Sequence, residues 1–218
     1  MYGVYDDAKD IDFAQLHSPC FLKCNHTSGD NALFDRNKPF NKNRFIRHFD
    51  FMLKQNYYWA SREWNYKNIA PKIISEKVLQ NSDGTPLYDY RFMCFSGEPK
   101  YMMLDIDTCD DAGGHADNAK RTIYDMDMNL LDVKFTKELH DVAIPVTRQQ
   151  FDEMKQYAAI LTKPFPFARC DFYCIDGAII FGELTFYHAG ACRIITPAEF
   201  DLHLGGLIDI RGIDSSHC

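Results

Sequence analysis

With 218 residues, 46% of them hydrophobic and 14% aromatic, the chain can bury one ordinary core or two tightly joined smaller ones. Its formal charge of −7 argues against non-specific nucleic-acid binding, which needs a positive field. No stretch approaches the roughly 18 apolar residues of a membrane span, and Met1-Tyr-Gly-Val-Tyr-Asp-Asp7 lacks the basic and apolar regions of a signal peptide, so the expectation is a cytoplasmic protein with no nucleic-acid partner and no membrane insertion.

Taken in order, the chain opens on an aromatic, acidic segment ending at Ser18-Pro19, within which Ile11–Leu16 reads as one helical turn. Cys20–Cys24 reads as a short strand running into Asn25-His-Thr-Ser-Gly-Asp30. A strand lysine followed by a loop with hydroxyls and a glycine offers a point charge, donors and close backbone approach, which together suit phosphate oxygens. It is not a Walker loop, because Lys23 precedes the loop; the plain alternative is an edge-strand charge. Asn43 to Tyr58 has helical spacing in Phe45, Phe49, Met52 and Leu53, with Pro39 and Asn41 as start signals. Trp59 to Tyr66 is an aromatic, charged segment of no clear class, in which Arg62 is either a packed surface arginine or an anion contact.

Lys72–Leu79 is a strand, and the turn cluster Asn81–Pro86 marks the expected subdomain boundary. Tyr88–Phe95 and Lys100–Asp107 form a hairpin turning at Ser96–Pro99. Residues 108–119 read as a mobile loop, and Lys120–Asp127 as a strand with two basic groups at its start. Thr147–Leu161 is an amphipathic helix with Thr147 as N-cap, Gln150 at the capping-box position, and Phe151, Met154, Tyr157 and Ala158 facing the core. Pro164 and Pro166 stop it. Past Tyr187 comes a loop with Arg193 placed to close over a ligand, then a short helix over Pro197–Leu204 and a loose tail from Arg211. Hairpins alternating with single helices give an α+β class with antiparallel sheets.

The most informative stretch is Phe165 to Tyr187, two β-rich runs joined at Ile175-Asp176-Gly177. A two-residue turn would pair Ile175 with Ala178 and set odd positions beside even ones. A three-residue loop with Gly177 left-handed would pair Cys174 with Ala178 and keep odd with odd. Only the second gives one unbroken small or apolar face (Cys170, Phe172, Cys174, Ala178, Ile180, Gly182, Leu184, Phe186), so it is the expected register. It places Arg169, Asp171, Glu183 and Thr185 on the other face with Tyr173, Ile179 and Phe181, which leaves that face half exposed. The charges there form either a surface ion pair or a seat for a hard cation such as Mg²⁺, and partial desolvation favours the cation. Of the eight cysteines, Cys20/Cys24 and Cys170/Cys174 have a spacing that zinc could use, but the buried face of the hairpin makes them small hydrophobes in a reducing cytoplasm.

Several strings, in order, resemble the ATP-grasp superfamily and most closely its TupA-like family. They are Phe21-Leu-Lys-Cys-Asn-His-Thr-Ser-Gly29, Gln55-Asn-Tyr-Tyr58, Arg62-Glu-Trp-Asn-Tyr-Lys-Asn-Ile69, Pro71-Lys-Ile-Ile-Ser-Glu76, Asp89 to Lys100, Tyr124-Asp125 and Phe165 to Tyr187. The resemblance implies an ATP-grasp fold, with two α+β subdomains whose antiparallel sheets sandwich ATP: residues 1–80 with the phosphate loop and adenine linker, and residues 81–218 with the metal-binding hairpin. It implies Lys23 as a nucleotide-phosphate lysine and Ser28 and Gly29 as the loop over the phosphates. Glu76, Lys77 and Leu79 fall in the segment that holds adenine, and Asp89 where a carboxylate holds the ribose hydroxyls. Asp171 and Glu183 correspond to the Mg²⁺ ligands, and Arg169 to the arginine that steadies developing charge on an acyl phosphate.

Two departures stand out. At the second metal site the superfamily often has Glu-x-Asn, whereas this chain has Glu183-Leu184-Thr185, which makes Thr185 the third implied metal ligand. Members also generally carry a further N-terminal region supplying another ATP lysine and part of the acceptor site, so the chain reads as truncated, as half of a larger protein or as impaired in catalysis, with that region or a partner chain as the implied complement. The implied activity is ATP-dependent ligation of a small-molecule or glycan carboxylate to an amine, with ATP and Mg²⁺ as cofactors, in bacterial capsule or cell-surface polysaccharide biosynthesis. A kinase-like phosphotransferase acting on a sugar and a non-catalytic nucleotide-binding domain are the alternatives.

Overall fold

The computed structural model describes residues 1–29, 31–106, 108, 119–135, 137–139 and 143–211, apart from the side chain of Ala189. The expected mobile loop therefore lies almost entirely outside the described residues, as does most of the tail. The chain forms two compact units, the first holding Met1–Leu79 and the second the elements that follow.

In the first unit, strands β1 (Gly3–Tyr5), β2 (Cys20–Cys24), β3 (Asn31–Phe34) and β4 (Ile73–Lys77) make an antiparallel sheet in the order β1-β4-β2-β3. Strand alternation buries Cys20, Leu22 and Cys24 against Phe45 and Phe49 of helix α1 (Lys42–Met52), leaving Phe21 and Lys23 for the other face. Asn41 caps α1 by accepting from the Arg44 N–H at 2.9 Å. The single helix expected over 43–58 is instead two. The chain leaves helical geometry after Leu53 and restarts at α2 (Tyr57–Ser61), where the Asn56 side chain accepts from the Tyr58 N–H. A second cap signal inside an apolar periodicity splits the helix. The expected turn over Ile11–Leu16 is present, with the Leu16 N–H donating to the Asp12 carbonyl at 2.9 Å.

The second unit is a six-stranded antiparallel sheet. Its strands are β5 (Asp89–Phe95), β6 (Glu98–Ile106), β7 (Lys120–Asp125), β8 (Leu130–Leu131), β9 (Phe167–Ile175) and β10 (Ala178–Thr185), in the order β10-β9-β5-β6-β7-β8. Helix α3 (Arg148–Thr162) lies on one face, where Phe151, Met154 and Ala158 pack with Tyr90, Phe92, Met102, Leu104, Cys170 and Phe172. The capping box is formed on both sides, and Tyr157 lies at the edge of this core, 42% exposed, with its ring beside Phe172 and its hydroxyl donating to Glu153. On the other face, at one end, Met93, Phe95, Met103 and Ile123 pack with Val133, Phe135 and Leu204 of helix α4 (Ala198–Gly206). The rest of that face is charged.

The β9–β10 hairpin corrects the expected register. Its turn has two residues, Asp176 and Gly177, both at positive φ, and Ile175 pairs with Ala178. Two left-handed residues match the strand twist better than a longer loop does, and Asp176 is held by the Ser82 N–H and hydroxyl at 2.9 Å each. Parity is switched later, by a bulge at Gly182: Phe181 pairs with Phe172, but Glu183 pairs with Asp171 and Thr185 with Arg169. Ile179 and Phe181 therefore share a face with Cys174 and Phe172, opposite the one expected, while Ile180 joins Tyr173. Gly182 tolerates the close approach at the bulge, since a Cβ there would meet the Asp171 carbonyl oxygen at 3.1 Å and the Tyr173 ring at 3.3 Å.

Burial raises the Cys94 and Cys170 thiols to about 12 and Cys20 to about 11, so these stay neutral. They behave as the small hydrophobes expected.

Candidate active site

Residues directly opposite in neighbouring strands share a face. Glu183 lies opposite Asp171 and Asp171 opposite Arg91; Asp89 lies opposite Asp105 and Asp105 opposite Arg121. Five strands thus contribute to one charged layer. Arg169, two residues before Asp171, is on the same face.

Arg169 and Asp171 are both buried. The Arg169 Nε donates to Asp171 Oδ1 at 2.7 Å and Nη2 to Oδ2 at 2.6 Å, a bidentate pair. Nη2 also reaches Glu183 Oε1 at 3.1 Å, and Nη1 bonds His188 Nδ1 at 2.8 Å. Thr185 donates its hydroxyl to Glu183 Oε1 at 3.3 Å. Asp171, Glu183, Thr185 and Arg169 are therefore together, as the sequence led one to expect, although through the bulge and not through the turn.

Around them lies a layer that the sequence reading missed. Asp105 is fully buried and accepts from Arg121 Nε and Nη2 at 2.6 Å each and from Lys137 Nζ at 2.9 Å. Burial alone would raise its pKa, but Arg121, Arg91 and Lys137 hold the carboxyl well below the usual range. Arg91 pairs with Asp89, lies 3.5 Å from Asp105 and 3.7 Å from Asp171. Burial opposes its charge, yet the three carboxylates outweigh it and raise the pKa. Asp89 is thus buried against Arg91 in the same layer. The alternation Asp89-x-Arg91 and the basic start of β7 were the available signals; only register joins them to Asp105.

His188 begins a 3₁₀ turn after β10. Burial first, then the charges of Arg169, Arg121 and Arg91, push its imidazole down to about 2 from 6.5. As pH falls below 6.5 the unfolded chain takes up a proton here that the folded chain refuses. The site's contribution to stability is therefore full above pH 6.5 and is lost below it, at up to about 1.4 kcal/mol per pH unit. Replacing His188 with asparagine is expected to flatten the fall in urea midpoint between about pH 6.5 and 4.5, above the main carboxylate range. An unchanged slope would show that the imidazole protonates freely in the folded protein.

In the first unit, Lys23 and Glu76 share a sheet face, because Glu76 lies opposite Phe21, and Lys23 Nζ sits 2.6 Å from Glu76 Oε2. Ser28 is exposed and Gly29 has a φ of +90° in the loop after β2, where the Thr27 hydroxyl is buried without a hydrogen-bond partner among the described residues. Lys77 ends β4, exposed, and Leu79 follows it, half-buried.

Two carboxylates face one another with the Arg169 guanidinium between them, and among the described residues no group of three His, Cys, Asp or Glu could hold a metal ion by itself, so a metal here would rest on this pair and on groups from outside the protein. Mg²⁺ ordinarily takes one or two carboxylates and completes its shell with water and phosphate.

Among solved structures, the fold is similar to an L-amino acid ligase from Bacillus licheniformis (11% identity, TM-score 0.45, 84% of this chain and 37% of that one). It is also similar to D-alanine–D-alanine ligase from Bacillus anthracis (14%, 0.44, 91% and 56%) and to the ATP-grasp ligase PsnB complexed with minimal precursor (12%, 0.40, 84% and 44%). The chain spans less than two thirds of the length of each. Comparison with curated proteins returns no match. Residues 1–209 match the family described as TupA-like ATPgrasp, and the chain belongs to that family.

Proposed function

We propose that the protein is an ATP-dependent carboxylate–amine ligase that works through an acyl phosphate, in bacterial capsule or cell-surface polysaccharide biosynthesis. The observation that carries this reading is the Asp171–Glu183 pair, set opposite one another with Arg169 between them, in a chain of the ATP-grasp family. In this reading Asp171, Glu183 and Thr185 hold Mg²⁺, which supplies charge neutralisation on the phosphates. Arg169 faces the transferred phosphoryl group and stabilises the negative charge that develops there. Lys23 binds phosphate oxygens once it leaves Glu76, under the loop at Ser28 and Gly29. Glu76 and the backbone at Lys77 and Leu79 hold adenine, and Asp89 takes the ribose hydroxyls.

Carboxylate attack on the γ-phosphate forms the acyl phosphate and releases ADP; an amine then displaces phosphate to form the amide. The role for Lys23 is supported by its being only half exposed and by its single short ionic partner among the described residues, which leaves it available for exchange.

The test is ADP release measured with candidate uronic acids and amines, supplied separately and together. Release that requires both supports the ligase. Release with a neutral sugar and no amine would replace it with a phosphotransferase. Thermal stabilisation by ATP with Mg²⁺ should be seen in the wild type and be lost in Asp171→Asn. If nucleotide leaves the wild-type melting temperature unchanged, the nucleotide-binding reading itself is wrong.

A further inference from the structure

We propose that Arg169 is a built-in counter-ion competing with the divalent metal for Glu183, and that His188 is the positioning residue that keeps hold of Arg169 once the metal displaces it. The inference rests on the reading of Asp171 and Glu183 as the metal pair. Its basis is the unequal grip of one guanidinium on three partners. Towards Asp171 the contact is bidentate, short and buried. Towards Glu183 it is a single bond of 3.1 Å to a side chain that is 63% exposed. Exposed ion pairs of that kind are weak, so Glu183 is the limb that lets go.

Asp171 and Glu183 would hold the metal, whose charge would repel the guanidinium that now reaches both of them. The third partner is different in kind. His188 is neutral, so its Nδ1 accepts from Nη1 whether or not the carboxylates are taken. With Nδ1 accepting, the ring proton sits on Nε2, which is buried without a hydrogen-bond partner among the described residues. A buried donor left unsatisfied is costly and calls for a reason. The ring is steadied by an edge contact with Phe135, with centroids 5.8 Å apart.

The experiment is Mn²⁺ binding to the nucleotide-free protein, followed by calorimetry and by the electron spin resonance signal of free Mn²⁺. Arg169→Gln is expected to bind Mn²⁺ at least about tenfold more tightly than wild type, since a positive charge close to the metal has gone. His188→Leu should bind severalfold more weakly, because Arg169 then has only carboxylates to hold. In the double variant the His188 effect should vanish. A wild-type readout does not depend on any variant folding: the ¹⁵N–¹H signal of the buried Arg169 Nε should shift on addition of Mg²⁺.

Unchanged or weaker Mn²⁺ binding in Arg169→Gln, a His188 effect that persists without Arg169, or an Arg169 signal indifferent to Mg²⁺ would each overturn the inference. Asp171→Asn separates this from the parent reading. Mn²⁺ binding lost in Asp171→Asn but insensitive to Arg169 leaves the metal pair standing and removes only the competition. Mn²⁺ binding that ignores Asp171 removes both.

Discussion

On the proposed ligase reading, replacing Gly182 with valine is expected to lower ATP turnover by about 100-fold while leaving the protein folded, because an error of about 1 Å in a catalytic group has that order of effect. A Cβ at this position comes within 3.1 Å of the Asp171 carbonyl oxygen and 3.3 Å of the Tyr173 ring, and a β-branched side chain adds bulk at the same point. The strand cannot escape by straightening. Without the bulge, position 182 would pair with Asp171, and Glu183 would turn to the face where Leu184 packs with the core. Alanine should fall between glycine and valine, since a few tenths of an ångström of relaxation suffices for it. Deleting Gly182 should be tolerated better than valine, because the shortened strand still sets Glu183 opposite Asp171. Turnover and Mn²⁺ affinity measured across the four proteins test this order. Native turnover in Gly182→Val would show that the bulge does not position the carboxylates.

Asp105→Asn is expected to destabilise the second unit by about 3–5 kcal/mol, the usual result of removing one partner from a buried ionic set. Asp105 is the acceptor for Arg121 and Lys137 and lies 3.5 Å from Arg91. Arg121 is itself buried and would be left charged without a carboxylate. The sign with pH follows from its depressed pKa. The stability it contributes is present above the unfolded value of 3.8 and is lost as pH falls from there towards the folded value, so wild type and variant should converge in strong acid. Urea midpoints at neutral pH and near pH 3 show the full difference at the first and the start of its narrowing at the second, with roughly unchanged m-values. Pairing the change with Arg121→Met should recover much of the loss, because hydrophobic replacement of a whole buried pair is often nearly neutral. A loss below 1 kcal/mol for Asp105→Asn alone, against the expected 3–5 kcal/mol, would mean that water reaches these charges.

Much of this was legible from local chemistry. Alternation placed β2, β5 and β9, the Thr147–Gln150 box started α3, and Asp176-Gly177 marked the hairpin. Helix 43–58 failed because a cap residue, Asn56, sits inside an otherwise continuous apolar period. Clustering Arg169 with Asp171 and Glu183 succeeded for an incomplete reason. Parity along a strand is a sound rule only while the strand is regular, and the extra residue at Gly182 breaks it between Phe181 and Glu183.

By itself, the sequence determined which groups can meet within one strand or across one tight turn, since those contacts depend on spacings of two residues and on turn type. It therefore contained the Arg169–Asp171 pair and the Lys23 loop. Only the tertiary structure decided that Arg91 and Asp171 would lie side by side, that Asp105 would gather Arg121 and Lys137, and that His188 would end beside Arg169. Those contacts join residues from separate strands and loops, none of them across one tight turn. Their registers follow the strand pairing and the packing of the opposite face against α3, which leaves no local mark on the residues it brings together.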